Sequence, residues 1–570
     1  MRIDKVKING FRNFSDATIV FNESTLIIGA NDVGKTNLVY ALRLLLDKTL
    51  SERDVEPQET DFHIDEEGNQ VDQFSITIFF SDIVEDSALS VLKGAVSDER
   101  SSVFRILAER RSLNYQIFVG CSEAELEQQN SRFYLKFINM RYVRSQRDLL
   151  KFINIEKKQL LKISQDSLEP EDFVSDEKEM KKISRGLNVI NERVRRLNYV
   201  KSSTSLVNEE LQKLSYNYGD YSVHLDSGSI KVHQFIDNLE LGASTSGSKL
   251  MLGGDGRNNQ ILLALWKAKS EREYDPEHEV TFYCVEEPEA HLHPHQQRKL
   301  ADYLIEHLPG QTIITSHSPQ ITARYRPNSF VRILTKRGSS YAASNGCSNC
   351  ISEAWDDLGY RMSILPAESF FSDCVFLVEG PSEQLFYQEL SSALRLDLDY
   401  YNISIISVDG VSFDVYTNIL DALEIPWVMR TDNDVAKVPK KEEKQLSGIN
   451  RCMNVAGLPK YSNYAMNTTA QVIVDSGIWK TVSDQANPKG IYLAKIDLEN
   501  DLSQELGDEL MSYSGKDNIV GAVNYLQEKK AIRMREFLGR NVSALPKIAD
   551  GLLALPLHHI KGIVEGSHKI

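Results

Sequence analysis

Thr25-Leu-Ile-Ile28, Gly29-Ala-Asn-Asp-Val-Gly34-Lys35-Thr36, then Asn37-Leu-Val-Tyr-Ala-Leu-Arg-Leu-Leu-Leu46 is the stretch on which the fold turns. A short apolar run stops at a glycine, a polar loop follows, and an apolar helix pattern begins. The loop fits G-x-x-x-x-G-K-T in full, and its context of strand before and helix after makes the match specific. Glycines at both ends let backbone N–H groups curl around phosphate oxygens at a helix N-terminus. Lys35 neutralises the terminal phosphates and the Thr36 hydroxyl holds Mg²⁺. Gly29, Asn31, Asp32, Gly34, Lys35, Thr36 and Asn37 are the expected nucleotide contacts.

Two later strands complete such a site. Thr281-Phe-Tyr-Cys-Val285 ends in Glu286-Glu287-Pro-Glu289. An apolar strand closing on paired acids suits a metal-binding Glu286 and a water-positioning Glu287. Ile313-Ile-Thr-Ser-His317 ends in a histidine, where ATP-binding cassette proteins sense the γ-phosphate. Leu252-Gly-Gly-Asp-Gly256-Arg-Asn-Asn-Gln260 resembles a degenerate cassette signature, with Gly254 at its centre; a flexible loop is the alternative. The signature would complete ATP held between two protomers.

Composition narrows the class. Of 570 residues 41% are hydrophobic and 26% charged, as in ordinary globular proteins. No apolar run reaches the length of a membrane span, and the N-terminus lacks a signal-peptide core. Six scattered cysteines point to a reducing compartment, so a cytoplasmic location is expected. Cys347-Ser-Asn-Cys350 has no second ligand pair to make a zinc site. The net charge of −16 opposes tight nonspecific DNA binding, but describes the whole surface rather than one groove. Basic clusters at Lys181–Arg196 and at Lys437, Lys440, Lys441 and Lys444 are either phosphate contacts or solvated faces.

A second constellation lies downstream. Cys374-Val-Phe-Leu-Val378 ends in Glu379-Gly-Pro-Ser-Glu383, and Trp427-Val-Met-Arg-Thr431 ends in Asp432-Asn-Asp434. Parallel strands of one sheet end on the same side, so these acids can converge on a divalent ion. Glutamate followed by D-x-D is the Toprim pattern, and hard oxygen ligands suit Mg²⁺ or Mn²⁺. Ile496-Asp-Leu-Glu499-Asn-Asp501 adds acids for a second metal, a pairing suited to phosphodiester cleavage. None of the 23 tyrosines stands out as a topoisomerase nucleophile. Lys530 is a candidate for stabilising the charged intermediate, or else a surface lysine.

The expected organisation is α/β throughout. Residues 1–146 form the first part of an ABC-type ATPase domain, with strands alternating with helices. Residues 147–215 form a helical insertion, a dimerisation arm; 216–340 complete the ATPase domain. A Ser/Gly/Asn-rich linker covers 341–370, and a Rossmann-like Toprim nuclease domain fills 371–570.

An ATPase of this kind joined to a Toprim domain resembles the OLD (overcoming lysogenisation defect) nucleases over nearly the whole chain. Asn31-Asp-Val-Gly-Lys-Thr-Asn37, Tyr40-Ala-Leu-Arg43, Glu379-Gly-Pro-Ser-Glu383, Thr431-Asp-Asn-Asp434 and Asn450-Arg-Cys452 are similar to strings of the nuclease subunits of Gabija anti-phage systems. The resemblance implies Glu379, Asp432, Asp434, Glu499 and Asp501 as metal ligands, Lys530 as catalytic lysine and His317 as nucleotide reader. It also implies cutting of double-stranded DNA, ATP control, a tetramer, and a UvrD-like helicase partner. The alternatives are an OLD effector of another defence module, such as a retron with its reverse transcriptase, or a repair ATPase whose Toprim domain only binds DNA.

Overall fold

A computed structural model describes residues 1–144, 149–200, 277–290, 292–347, 364–410 and 412–567, with short pieces between 202 and 275. The chain divides into two compact units, Met1–Arg144 with Tyr274–Glu289 and His293–Ile570, and Ser145–Glu273 with Ala290–Leu292.

Eight strands open the first unit: β1 (Arg2–Phe11), β2 (Phe14–Val20), β3 (Ser24–Ile28), β4 (Gln73–Ser81), β5 (Ser102–Glu109), β6 (Asn114–Gly120), β7 (Leu126–Gln129) and β8 (Ile138–Arg144). Alternation with helices was expected here. Instead β2-β1-β4-β5-β6-β7 form one antiparallel sheet, because several connections are short turns that return the chain beside itself. Helices do interrupt the strands at Lys35–Leu46 and Glu52–Val55 after β3 and at Asp86–Val91 after β4.

The second unit carries the helices Leu149–Asp166 and Pro170–Arg195 and a hairpin of β9 (Gly242–Thr245) and β10 (Ser248–Met251). Glu156, buried on the first helix, meets Lys269 at 2.8 Å and Arg272 at 2.9 Å. In the basic cluster, Lys181, Lys182 and Arg196 pair with glutamates one turn away on exposed surface, which favours a solvated face there.

Back in the first unit come β11 (Val280–Glu286), β12 (Thr312–Thr315), β13 (Phe330–Lys336) and β14 (Ser339–Ala342). They build a second sheet in the order β14-β13-β3-β12-β11-β8, parallel except at β13–β14. Phe80 of the first sheet stacks on Phe282 of the second, within one apolar core. The linker expected over 341–370 is folded over 341–347: β14 crosses its boundary and Cys347 N–H donates to Val20 O at 3.0 Å. Polar composition does not prevent pairing when a strand edge offers backbone partners. Cys350 and the rest of 348–363 lie outside the described residues, and Ile364–Ser369 is helical.

The C-terminal part adds β15 (Cys374–Val378), β16 (Ile403–Ser407), β17 (Trp427–Thr431), β18 (Val435–Lys437), β19 (Glu443–Leu446), β20 (Tyr464–Ala465) and β21 (Ile491–Leu493). A four-stranded parallel sheet runs β16-β15-β17-β21, with β18-β19-β20 as a small antiparallel sheet. Phe376, Phe386, Tyr387, Leu502 and Phe537 pack its core under helices. No helix among the described residues is long and apolar enough to cross a membrane.

Candidate functional site

β3 lies between β12 and β13, and β12 lies beside β11. Parallel register sets Ile27 against Thr315 and Thr315 against Glu286. The loop after β3, Glu286 and His317 therefore emerge on one sheet edge. Gly29 and Gly34 have φ of +147° and +104°, where a side chain is strained. A Cβ at Gly29 would lie 2.6 Å from Ile333 O, and one at Gly34 would lie 2.0 Å from Asn13 Nδ2. Asn13 braces the loop, donating to Val33 O at 3.0 Å and accepting from Asn37 Nδ2 at 2.8 Å. Lys35 is buried and donates to Gly29 O at 3.0 Å and Ala30 O at 2.5 Å. Burial lowers its pKa to about 8, against the opposing pull of Glu287, Asp32 and Glu289.

The acids of this edge take distinct places. Glu286 is buried and accepts the Tyr142 hydroxyl, whose ring carries the Arg43 guanidinium 3.7 Å above its centre. Glu287 adopts φ +44°, its N–H donating to Thr315 O at 3.0 Å, and its carboxylate stands 3.5 Å from His317 Nε2. Burial and the Lys35 charge hold His317 below its usual pKa, favouring the neutral ring. Thr36, Asn31 and Asp32 are exposed at the loop mouth. Glu289 was not among the expected residues. It accepts Ser316 Oγ at 2.8 Å and His317 N–H at 2.7 Å, fixing the backbone that presents the histidine. The run of three acids was its only sequence signal. Gly254 and the 252–260 loop lie outside the described residues.

The second centre sits at the C-terminal ends of β15 and β17, which pair in parallel. Glu379 accepts Asp432 N–H at 2.9 Å, together with the Thr431 hydroxyl and the Arg451 guanidinium. Arg451 also donates to Asp434 at 3.1 Å. Glu379, Asp432 and Asp434 are thus gathered on one edge. The helix Ser447–Val455 rests directly on this loop: a Cβ at Gly448 would lie 2.1 Å from Asp432 O. Glu383, one turn into the helix Pro381–Ala393, accepts Gly380 N–H at 3.0 Å.

Glu499 is 1% exposed, neither of its oxygens has a hydrogen-bond partner, and Lys530 Nζ stands 3.8 Å away. Asp432 Oδ1 is likewise buried and unbonded, 3.9 Å from Arg430. Burial raises the pKa of Glu383, Asp432 and Glu499, and neighbouring acids raise them further. Burial works to depress Lys530, but Glu499, Asp432 and Glu383 outweigh it and keep the ammonium protonated. Asp501 is placed differently from the ligand role expected of it. It accepts Arg430 Nη2 at 2.8 Å and Lys495 N–H at 3.2 Å, reaching the centre through Arg430. Sequence reasoning assigned no role to Arg430 or Arg451. A charge inside an apolar strand was the available signal for Arg430, since a buried cation needs partners.

Among the described residues no three His, Cys, Asp or Glu side chains form a closed cage. What the edge offers is a set of hard oxygen donors, several buried without partners. That donor set fits Mg²⁺ or Mn²⁺.

Comparison with known proteins finds matches over the stretches that carry the nucleotide loop and the Glu379 and Asp432 strand ends. A family model for the AAA ATPase domain matches residues 1–239 and 226–322, more than half the chain. A model for the TOPRIM domain of overcoming lysogenization defect protein-like sequences matches 370–434. Endonuclease GajA of Bacillus cereus (strain VD045) is 24% identical over 568 residues, covering 94% of this chain and 95% of that protein. An OLD nuclease of Thermus scotoductus is 26% identical over 171 residues, 28% of this chain and 32% of that one. A solved SMC head bound to the C-terminal winged-helix domain of ScpA aligns with a TM-score of 0.37 and 17% identity, covering 60% of this chain and 97% of that one. The chain belongs to the AAA ATPase domain family, and the segment that follows is similar to the TOPRIM domain of overcoming lysogenization defect protein-like sequences.

Proposed function

We propose that the protein is a divalent-metal-dependent endonuclease of double-stranded DNA whose cutting is governed by ATP. The observation that carries this is the gathering of Glu379, Glu383, Asp432 and Asp434 on one sheet edge, with buried Glu499 beside Lys530. Glu379, Asp432, Asp434 and Glu499 would hold the metal, with Glu383 behind them. A bound Mg²⁺ or Mn²⁺ supplies Lewis-acid stabilisation of phosphoryl charge and an activated water. Lys530 keeps a proton at Nζ beside the acids, suited to the oxygen that departs when the phosphodiester breaks. Arg451 orients Glu379 and Asp434. The lysine-bearing β18–β19 hairpin begins one residue after Asp434, so its exposed Lys440 and Lys441 suit a DNA backbone leading to the cut.

On the ATPase side, Lys35 and Thr36 would hold the phosphates and Mg²⁺, with Glu286, Glu287 and His317 reading the γ-phosphate. In biological terms we infer an anti-phage nuclease assembled as a homotetramer beside a helicase-like subunit. The likeness to GajA over nearly the full length of both chains supports this. The test is purified protein on supercoiled plasmid with Mg²⁺ or Mn²⁺. Nicked or linear product that disappears in Glu379→Ala is expected. DNA retention without nicking in the parent protein would overturn the nuclease assignment and leave a DNA-binding ATPase.

A further inference from the structure

We propose that Arg332 is the positioning residue through which the nucleotide loop sets the metal-binding acids. This rests on the ATP-control reading above and names its route. Arg332 lies on β13 opposite Ile28, the last residue before the loop glycine Gly29. It is a charged side chain only 6% exposed, a costly placement unless its donors are used. Nη1 donates to Leu423 O at 3.0 Å and Glu424 O at 2.9 Å, and Nη2 donates to Ser372 O at 3.0 Å.

Those three carbonyls stand just ahead of two particular strands. Ser372 precedes β15, which leads directly into Glu379; Leu423 and Glu424 precede β17, which leads directly into Asp432. Each strand is five residues, roughly 17 Å of stiff backbone, so a shift at one end is delivered to the other. Val375 N–H bonding Pro426 O at 2.9 Å locks the two strand starts together. An exposed flank repeats the connection: Tyr341 hydroxyl and Ser344 N–H both donate to Glu424, each at 3.0 Å.

The same joint reaches the nucleotide loop. A cavity of about 400 Å³ is lined by Gly29, Asn31 and His317 on one side and by Ser372, Asn402 and Ser404 on the other. A smaller one joins Gly29 and Arg332 to Phe371 and Asp373. A phosphate-driven movement of Gly29 or His317 therefore meets the same short segments that Arg332 holds. One guanidinium with a planar donor fork can fix three acceptors at once; a lysine ammonium of similar charge cannot hold that geometry.

The experiment titrates Mn²⁺ by electron paramagnetic resonance, with and without a nonhydrolysable ATP analogue, in parent and Arg332→Lys, and subtracts the Mn²⁺ taken up by the nucleotide itself using the same titration of each protein carrying Asp432→Asn. Nucleotide affinity is measured alongside. In the parent, the analogue is expected to move the Mn²⁺ midpoint roughly fivefold or more, the usual range of site coupling. In Arg332→Lys the shift should fall below about twofold with nucleotide affinity kept. A parent-sized shift in that variant overturns the role of Arg332 and leaves ATP control standing. No shift in the parent overturns ATP control itself, and this route with it. If Arg332→Lys does not fold, Tyr341→Phe with Glu424→Gln decides from the exposed flank: a reduced shift supports the joint, and a parent-sized one overturns it.

Discussion

The two ligand centres share a plan, acids and loops at the ends of parallel strands, but differ in how complete they are alone. The nucleotide edge is braced from within. Lys35 is held by two loop carbonyls, Asn13 by Val33 and Asn37, and His317 N–H by Glu289. The metal edge keeps three buried carboxylate oxygens, one on Asp432 and two on Glu499, without hydrogen-bond partners, all on expected cation ligands. On the nucleotide edge Glu289 Oε2 is in that state, on a residue that braces backbone rather than binding ligand. One centre is pre-shaped by the protein's own bonds. The other is made whole by its ligand, and its stability is tied to that ligand.

The largest expected effect separates the two centres. Asp432→Asn should lower plasmid cutting by roughly a thousandfold, the equivalent of several kcal/mol of charge stabilisation, with ATP affinity unchanged. Lys35→Ala should do the reverse, losing nucleotide binding while cutting persists and ceases to respond to ATP. Parallel nicking and nucleotide-binding assays check both, and a single variant that removed both properties would merge the centres.

Next in size are opposite responses to pH. Below about 8 Lys35 carries its proton in the nucleotide-free protein; above that, ATP affinity should fall, by at most about tenfold per pH unit. Metal binding runs the other way. The acids Glu383, Asp432 and Glu499 are raised, so they hold protons longer and must release them to bind a cation. Mn²⁺ affinity should therefore rise with pH until they are ionised. Titration calorimetry in buffers of different ionisation enthalpy reads both signs.

A smaller effect concerns stability. Glu499→Gln removes a buried charge that lacks a hydrogen-bond partner, so in chelator the variant should be more stable by about 1 kcal/mol. It should also lose most of the Mn²⁺-induced rise in Tm. A lower Tm in chelator would show that Lys530 already compensates the charge. Smallest is the hairpin pair Lys440→Ala and Lys441→Ala. If each contacts one phosphate, the log–log salt slope of DNA binding should flatten by about two, with cutting at saturating DNA unchanged.

Legibility in the sequence follows the same divide between local and distant partners. The phosphate loop, the Glu286 strand and the Glu379 and Asp432 strand ends are written as an apolar run closing on a polar signal. The observed β3, β11, β15 and β17 place each of them at a strand end. Glu383 shows itself by its one-turn spacing. Asn13, Arg430, Arg451 and Arg332 do not, because most of their partners lie tens of residues or more away and are often backbone atoms. The antiparallel sheet of β1, β2 and β4–β7 was obscured by reading the early strands as one alternating series. The polarity of 341–347 concealed a strand edge and the contacts of Tyr341 and Ser344.

Arg332 grips main-chain oxygens rather than side chains. Mutation can exchange Leu423, Glu424 or Ser372 for other residues, but it cannot delete a carbonyl. The joint can thus outlast extensive drift in the surface it supports. A lineage pressed to diversify its DNA-facing loops could rewrite them freely while keeping this backbone-held fastening.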